Sequence, residues 1–483
     1  MSVLFVCASP RGRQSSSTWL SEYVEAALPP GIQAGRVLLP EVGLDEGMPD
    51  DDPRWLELLD RIRAAHVVVW VLPSYTFGVP SALRLLFDRL LSRTTPADFA
   101  GRGAAALLAS ARYQDDRVLE RLRLVSEQLG LGWLGDASVD GNPVKGFEHP
   151  DEAVRQARRI ARDIARSIRD GQVPPPRSLP LDRSVLAPGP ARAVPFAAAR
   201  ADLPEAPGIV PAASARPPIL VLAGTSPQVD AAVQETIDHV RAAATQPVEV
   251  LDLSGVRLQP CTGCYTCNTD TAGRCPLPDA LHAVRGRMAR AGAVVMVSRA
   301  GAAMPDLALR RLAERMWGDC HRPPFQGIPG AVAVIRGGPV ADRVLDDLSL
   351  FLSLVGCPVV AAWTDAPADP SSRRLAVAHE VRRLELAMSE GIPEPARYGV
   401  ASSRLAFRDL ALRWSFYLRA DYRYHRVHGL LKDRPRWPQF LLRLLARSRR
   451  AFRGMMSGGR RHAARRHAAR IQALQAGAKG NVP

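Results

Sequence analysis

The chain has 483 residues, which is enough for about two or three domains of ordinary size. Hydrophobic residues make up 47% and charged residues 23%, which excludes a wholly disordered, collagen-like or disulfide-scaffold chain. The formal net charge is +16, but residues 401–483 alone hold 20 Lys or Arg and three Asp or Glu, so no basic groove is expected outside this tail.

The first 170 residues alternate between strand and helix patterns, beginning with a continuous apolar run at 2–8. Strands are predicted at 2–8, 36–39, 66–72, 104–110 and 131–139, and helices at 17–28, 53–65, 79–92, 114–129 and 150–169. Strict alternation of this kind predicts a parallel sheet that is covered by helices on both faces.

A Pro- and Ala-rich segment follows at 171–217 and is predicted to be a partly extended linker. The strand–helix rhythm then returns. Strands are predicted at 218–223, 248–253, 293–298, 331–335 and 358–362, and helices at 227–244, 277–290, 305–317, 340–355 and 370–391. We therefore expect domains at 1–170 and 218–398, with a basic helical tail at 399–483.

Local matches between the two blocks indicate a duplication. Ser9-Pro10 aligns with Ser226-Pro227, and Asp88-Arg89 aligns with Glu314-Arg315. The spacing between these landmarks is nine residues longer in the second block, where four cysteines are crowded together. Two copies of one α/β domain, the second with an inserted cysteine loop, explain this pattern; the alternative is two unrelated parallel-sheet domains.

Two loops of the first block have the composition of ligand-binding loops. Residues 7–18, with Arg11 and Arg13 among many serines, join the first strand to the first helix, where backbone amides favour an anion. A Ser-rich turn that only caps the helix is the alternative. The third strand ends in Pro73-Ser74-Tyr75-Thr76-Phe77-Gly78, at the edge where open α/β sheets bind ligands, although Tyr75 and Phe77 would also suit a core.

Together these loops resemble the NADPH-dependent FMN reductase and iron–sulfur flavoprotein family. The resemblance implies two tandem flavodoxin-like doubly wound domains with strand order 2-1-3-4-5. It implies that FMN is held through its phosphate by Ser9, Arg11, Ser15, Ser16 and Ser17. It also implies a flavin bed at Pro73, Ser74, Tyr75, Thr76, Phe77 and Gly78, and a third flavin loop at Ser110 and Tyr113, although this loop lacks the family's glycines.

Four cysteines lie within 15 residues, with the spacing C-x2-C-x2-C-x7-C: Cys261, Cys264, Cys267 and Cys275. In a reducing compartment such a group suits a metal or cluster site better than disulfides. Iron–sulfur members of the family use a compact run of this kind for a [4Fe–4S] cluster. Zinc and free thiols are the alternatives. The other cysteines, Cys7, Cys320 and Cys357, are predicted to be core residues, and no His-based catalysis is expected.

The second block has diverged at both flavin loops. It reads Ser298-Arg-Ala-Gly in place of the Tyr75 loop, and its anion loop places Asp230 where a phosphate is expected. Each block thus retains what the other has lost. The resulting hypothesis is one site per chain, formed by an FMN of the first domain and a cluster of the second, as an internal pseudo-dimer.

The tail begins with aromatic residues at helical spacing over 407–428, which predicts docking on the second block. Residues 436–453 form a basic amphipathic pattern that suits an anionic membrane surface, and an Arg/His/Ala run at 460–470 predicts either a solvated helix or a polyanion contact. With no membrane span and no signal peptide, the protein is expected in the cytoplasm, with peripheral membrane contact through the tail and without nucleic acid.

Two functional hypotheses follow. The first is an NAD(P)H:acceptor oxidoreductase, in which NAD(P)H is a transient donor to the flavin and a small molecule or protein accepts the electrons. No residue needs to act as a nucleophile or a general base. The alternative is a cofactor-poor scaffold or regulator with zinc in the cysteine loop and a surface-binding tail.

Overall fold

The computed structural model describes residues 1–76, 78–110, 114–142, 146–175, 217–270, 273–301, 304–336, 338–365, 369–391, 398–431, 442 and 449–480. They form two compact units. Unit 1 comprises Met1–Leu186, Thr262–Cys264 and Leu444–Pro483, and unit 2 comprises Ala187–Cys261 and Tyr265–Arg443. Most of the predicted linker, the two flavin-loop residues Phe77 and Tyr113, and most of the basic pattern at 436–453 lie outside the described residues.

Unit 1 is built on a sheet of five parallel strands in the order β2-β1-β3-β4-β5, extended by a short antiparallel strand β6. The strands are β1 (Ser2–Cys7), β2 (Gln33–Leu38), β3 (Val67–Pro73), β4 (Gly103–Ser110), β5 (Gly132–Asn142) and β6 (Gly146–Phe147). The order 2-1-3-4-5 is confirmed, whereas β6 was not predicted because two residues carry no periodicity.

Helices cover both faces of this sheet, because alternate residues of its strands are buried on opposite sides. The helices are α1 (Ser16–Ala27), α2 (Leu39–Val42), α3 (Pro53–Ala64), α4 (Ser81–Arg93), α5 (Asp115–Leu129) and α6 (Pro150–Asp170). On one face Val69 shares a core with residues of α1 and α6. On the other face its neighbour Trp70 packs edge-on against Phe87 of α4, at 5.0 Å between ring centroids, and donates to Ser126 of α5.

Unit 2 repeats the architecture with five parallel strands in the order β8-β7-β9-β10-β11. The strands are β7 (Ile219–Ala223), β8 (Val248–Asp252), β9 (Ala293–Arg299), β10 (Gly330–Ile335) and β11 (Val359–Thr364). The helices are α7 (Ala231–Ala243), α8 (Thr266–Thr269), α9 (Leu281–Arg290), α10 (Leu307–Arg315), α11 (Trp317–His321), α12 (Ala341–Leu354), α13 (Pro370–Glu390), α14 (Tyr398–Arg413) and α15 (Arg419–Val427). Two doubly wound parallel sheets in one chain confirm the predicted fold class.

The predicted tail divides between the two units. Helices α14 and α15 belong to unit 2, where Phe407, Tyr417 and Tyr422 are buried, as the aromatic spacing predicted. The C-terminal helix, Arg449–Gly480, instead packs against α1 in unit 1. There Leu474 joins the core of unit 1, and His467 stacks on Trp19 at 4.7 Å and contacts Glu22 at 2.5 Å. Neither predicted state of the 460–470 run included this packing. Among the described residues, no helix has the length and apolar character needed to cross a bilayer.

The paired arginines of the two blocks perform the same structural task. Arg89 of α4 donates to the carbonyl oxygen of Met48, in the segment that follows β2. Arg315 of α10 donates to the carbonyl oxygen of Gln259 at 2.7 Å, in the segment that follows β8. Each arginine therefore ties the connection after the second strand of its sheet to the helix after the third strand. This common contact supports the duplication.

Candidate functional site

The loop between β1 and α1 presents an anion-binding arrangement. Ser9 is buried, and its side chain accepts the Arg11 amide while its carbonyl accepts the Gly12 amide. Helix α1 then begins at Ser16, and within the described residues Ser15 makes no side-chain capping hydrogen bond. The amides of the first helical turn have no partner within their own helix, so they point outward with the positive end of the helix dipole.

Hydroxyl groups surround this helix terminus. The hydroxyl oxygens of Ser15 and Ser17 lie 2.9 Å apart, and both side chains are buried. Thr18 braces the loop by donating to the carbonyl of Gly12 at 2.9 Å, and Arg11 folds back to donate to the carbonyl of Gln14 at 2.9 Å. The predicted phosphate residues therefore come together around one helix N-terminus, where a phosphate is favoured.

The Tyr75 loop is a tight turn at the end of β3. Tyr75 and Gly78 exchange two backbone hydrogen bonds of 3.1 Å, and Thr76 between them has a positive φ of 45°. A non-glycine residue in this region carries strain, which the two flanking hydrogen bonds hold in place. Tyr75 and Thr76 are both largely buried, so this turn is a fixed element of the sheet edge.

The loop after β4 offers less to a ligand. The Ser110 hydroxyl donates to the carboxylate of Asp115, 2.6 Å from Oδ1, and Ser138 donates to the same carboxylate. Asp115 stands in the first turn of α5, where an acidic side chain complements the helix dipole. The described residues on either side of residues 111–113 therefore include an anion, the Asp115 carboxylate, that Ser110 and Ser138 already bind.

Strand order brings the three loops together. Strand β3 lies between β1 and β4, all three are parallel, and their carboxyl ends therefore share one edge of the sheet. Thr262–Cys264 also groups with unit 1: a Cβ atom placed on Gly263, whose φ is +64°, would lie 2.6 Å from the Tyr75 hydroxyl. A backbone with no side chain is what permits this close approach.

The corresponding anion position in unit 2 is filled by the protein itself. Asp230 is the N-cap of α7 and accepts the Ala232 amide at 3.0 Å. The Arg336 guanidinium lies 3.2 Å from its carboxylate, and that of Arg299 lies 3.7 Å away. Arg299 is held in turn by Asp306 at 3.1 Å. A carboxylate thus occupies the helix terminus that a phosphate would need, and two arginines neutralise it.

The cysteine loop is anchored by the Glu-Arg pair of α10. Glu314 accepts the backbone amide of Cys261 at 2.8 Å. Arg315, whose side chain is fully buried, forms two hydrogen bonds to Asp279 and donates to the sulfur of Cys275 at 3.3 Å. The match of Glu314-Arg315 to Asp88-Arg89 was noted in the sequence, but the role of the pair in holding the ends of this loop was missed, because those contacts join residues about 40 to 50 positions apart.

The four thiols do not form a ligand set as they stand. Among the described residues, no group of three or more His, Cys, Asp or Glu side chains is arranged to hold a metal ion. Cys264 is exposed, Cys275 faces the Arg315 guanidinium, and the Cys267 thiol donates to Asn268 at 3.0 Å. Burial raises the pKa of the Cys267 thiol. The geometry therefore does not support the predicted cluster.

The remaining cysteines are core residues, as predicted. Cys7, Cys320 and Cys357 are all buried, and burial raises the thiol pKa of Cys7 to about 11 and of Cys357 to about 12. Thiols that stay protonated at neutral pH are poor nucleophiles.

Comparison with known proteins gives a family match in the first part of the chain. The family model of the NADPH-dependent FMN reductases matches residues 1–140. No curated protein matches the chain. Solved structures with a similar fold include RosB with a bound 8-demethyl-8-formylriboflavin-5'-phosphate intermediate, which is 17% identical, with 35% of this chain and 81% of that chain covered and a TM-score of 0.30.

Two further solved structures have a similar fold. An FMN-dependent NADH-azoreductase from Bacillus anthracis str. Ames Ancestor is 16% identical, with 35% of this chain and 99% of that chain covered and a TM-score of 0.28. An NAD(P)H:quinone oxidoreductase from Methanothermobacter marburgensis is 18% identical, with 34% and 96% covered and a TM-score of 0.28. Such low values carry no functional argument, so the family rests on the sequence match. The predicted resemblance is confirmed over residues 1–140, which match the family model of the NADPH-dependent FMN reductases.

Proposed function

We propose that unit 1 binds one FMN and that the chain is a flavin-dependent oxidoreductase of the NAD(P)H:acceptor type. The observation that carries the proposal is the contrast between two equivalent helix termini. The terminus of α1 in unit 1 has no capping side chain and is ringed by hydroxyls, whereas Asp230 caps the terminus of α7 in unit 2. One flavin per chain is therefore expected.

The residues present in unit 1 fit this cofactor. Ser9, Arg11 and Ser15–Ser17 would bind the phosphate through hydroxyl and guanidinium donors and the first-turn amides of α1. The turn from Pro73 to Gly78 would flank the ring system, with Ser110 and Tyr113 at the third loop. FMN supplies the hydride and electron chemistry, so the protein contributes binding, orientation and exclusion of water. The strained, buried turn at Thr76 supports a fixed wall for the flavin ring.

The phosphate loop can be tested by removing its charged and hydroxyl donors together. Arg11→Ala combined with Ser16→Ala should weaken FMN binding by at least about 150-fold, because two charge-assisted hydrogen bonds at roughly 1.5–3 kcal/mol each contribute about 3–6 kcal/mol and 1.4 kcal/mol is a factor of ten. FMN affinity is measured by quenching of flavin fluorescence. The matched control is Ser226→Ala with Gln228→Ala in the loop of unit 2, which should leave affinity unchanged. Equal FMN binding by the wild type and the Arg11/Ser16 variant would contradict the proposal.

The role of the cysteine loop is a separate part of the proposal. The sequence spacing favours a [4Fe–4S] cluster that shares one site with the flavin, and zinc is its rival. Neither metal site is supported by the present arrangement of the thiols, so the proposed function includes no electron transfer through the cysteine loop. Anaerobic analysis of iron, sulfide, zinc and flavin in the purified protein decides among cluster, zinc and free thiols. Zinc without flavin would favour the scaffold function instead.

The C-terminal helix favours contact with an anionic surface. With Leu474 and His467 packed against unit 1, the helix leaves Arg460, Arg461, Arg465 and Arg466 exposed. Ala463 and Leu474 of this helix are buried and its exposed arginines carry charge, so we expect binding to an anionic membrane to be electrostatic. We include peripheral membrane association in the proposed function on this ground.

A further inference from the structure

A buried carboxylate in unit 2 lies against the middle of the cysteine loop. Asp421 of α15 has no solvent exposure. Its Oδ2 accepts the side-chain amide of Asn268 at 2.8 Å and lies 2.8 Å from the Nδ1 of His321. Its Oδ1 lies 3.3 Å from the Nε of Arg322. Three polar side chains from α8 and the region of α11 thus converge on one carboxylate of a helix about 100 to 150 residues away.

The carboxylate is connected to a cysteine through Asn268. The Cys267 thiol donates to the Oδ1 of Asn268 at 3.0 Å, and the amide nitrogen of the same side chain donates to Asp421. Thiol, amide and carboxylate therefore form a continuous hydrogen-bonded chain. Arg322 adds a second connection, because it also donates to the carbonyl oxygen of Cys267 at 2.6 Å.

Helix α15 also contacts Thr269, the residue after Asn268. Arg419 donates through Nε to the carbonyl oxygen of Thr269 at 2.9 Å. A carboxylate is costly to bury unless its partners are fixed, and removing one partner of such a group has a large effect. The short helix α8 has only four residues, too few to be stable alone, so its position depends on these contacts.

We propose that Asp421 is a positioning residue for the cysteine loop: by fixing Asn268 it holds the Cys267 thiol in a closed, protected orientation, and α15 acts as a strap over α8. This inference stands apart from the flavin proposal, since it concerns unit 2 alone. It assigns to the aromatic segment of the tail a task that its sequence spacing did not indicate.

The test is the alkylation rate of individual cysteines in the full-length protein, measured with iodoacetamide and peptide-resolved mass spectrometry. Asp421→Asn should raise the rate at Cys267 about tenfold, which corresponds to about 1.4 kcal/mol, while Cys357 stays protected. The control is Asp409→Asn, which removes an exposed carboxylate of the adjacent α14 and should change neither rate.

A second variant distinguishes the loss of this hydrogen-bonded chain from a general loosening of unit 2. Asn268→Ala should raise the Cys267 rate similarly, and the double variant should rise no further, because both substitutions break the same chain. An unchanged Cys267 rate in both single variants would overturn the proposal. So would additive effects in the double variant, or an equal rise at Cys357, which would show that the whole unit has loosened.

Discussion

Asp230→Asn tests whether a carboxylate of unit 2 occupies a vacated phosphate position. The substitution keeps the shape of the side chain, and Asn is as good an N-cap as Asp. It removes only the negative charge between α7 and the two arginines, Arg336 and Arg299. The α7 terminus and the Arg336 guanidinium would then have lost the carboxylate between them, while Arg299 keeps Asp306, and a phosphate is favoured at such a terminus.

The loss of unfolding free energy expected in Asp230→Asn follows from the solvent exposure of Asp230, Arg336 and Arg299. The Asp230 side chain is 7% exposed, whereas those of Arg336 and Arg299 are 42% and 30% exposed. Ion pairs with such partners contribute about 0.2–1 kcal/mol each, so the variant should lose roughly 1–2 kcal/mol of unfolding free energy in chloride. If phosphate binds with a dissociation constant near 10 mM, a concentration of about 100 mM restores about 1.4 kcal/mol.

Urea unfolding of the wild type and the variant in phosphate and in chloride, at matched ionic strength, measures this difference. Phosphate should stabilise Asp230→Asn more than the wild type by about 1 kcal/mol. The same gain in both proteins would mean that phosphate acts elsewhere. A variant that is destabilised but insensitive to phosphate, or a wild type that binds two flavins, would refute the assignment of this position.

Two further outcomes are expected. Burial lowers the pKa of His425 to about 4, so below about pH 6.5 the unfolded chain takes up a proton that the folded unit does not. The free energy of unfolding, measured in urea titrations, should therefore fall between pH 7.5 and pH 5, and it should fall less steeply in His425→Phe. Identical slopes in the two proteins would contradict this. A fourfold Arg-to-Gln variant of the C-terminal helix should bind anionic vesicles at low salt roughly 100- to 1,000-fold more weakly, because each Arg contributes about 1 kcal/mol; the positions are Arg460, Arg461, Arg465 and Arg466. Vesicle binding that is unaffected by salt or by the substitutions would exclude the electrostatic contact.

The sequence predicted the elements of the fold because their signals are local. The apolar runs of β1, β3 and β9 and the turn residues between elements recur within a few positions, and parallel order follows from strict alternation. Errors occur where that signal weakens. The helix predicted at 305–317 is divided at Met316 into α10 and α11, and the one predicted at 277–290 begins at Leu281.

The candidate site was predictable only in part. The family motif indicated Ser9, Arg11 and Tyr75, and the loss of the arginine together with Asp230 near the expected phosphate position indicated a lost phosphate site. The sequence did not reveal that Arg336, more than 100 residues away, neutralises that acid. Nor did the spacing of the cysteines show that Arg315 and Asn268 hold two of their sulfurs.

The sequence by itself determined the two doubly wound sheets and predicted the duplication and the phosphate loop, because each depends on residues close together along the chain. The tertiary structure decided which anion position is already occupied by a protein side chain and which distant residues pack together. It filled the second anion position with Asp230, placed Asp421 beneath the cysteine loop and packed Leu474, near the end of the chain, into the core of unit 1. Such contacts join residues separated by 100 to more than 400 positions, and their free energy comes from burial and charge pairing that no local pattern records.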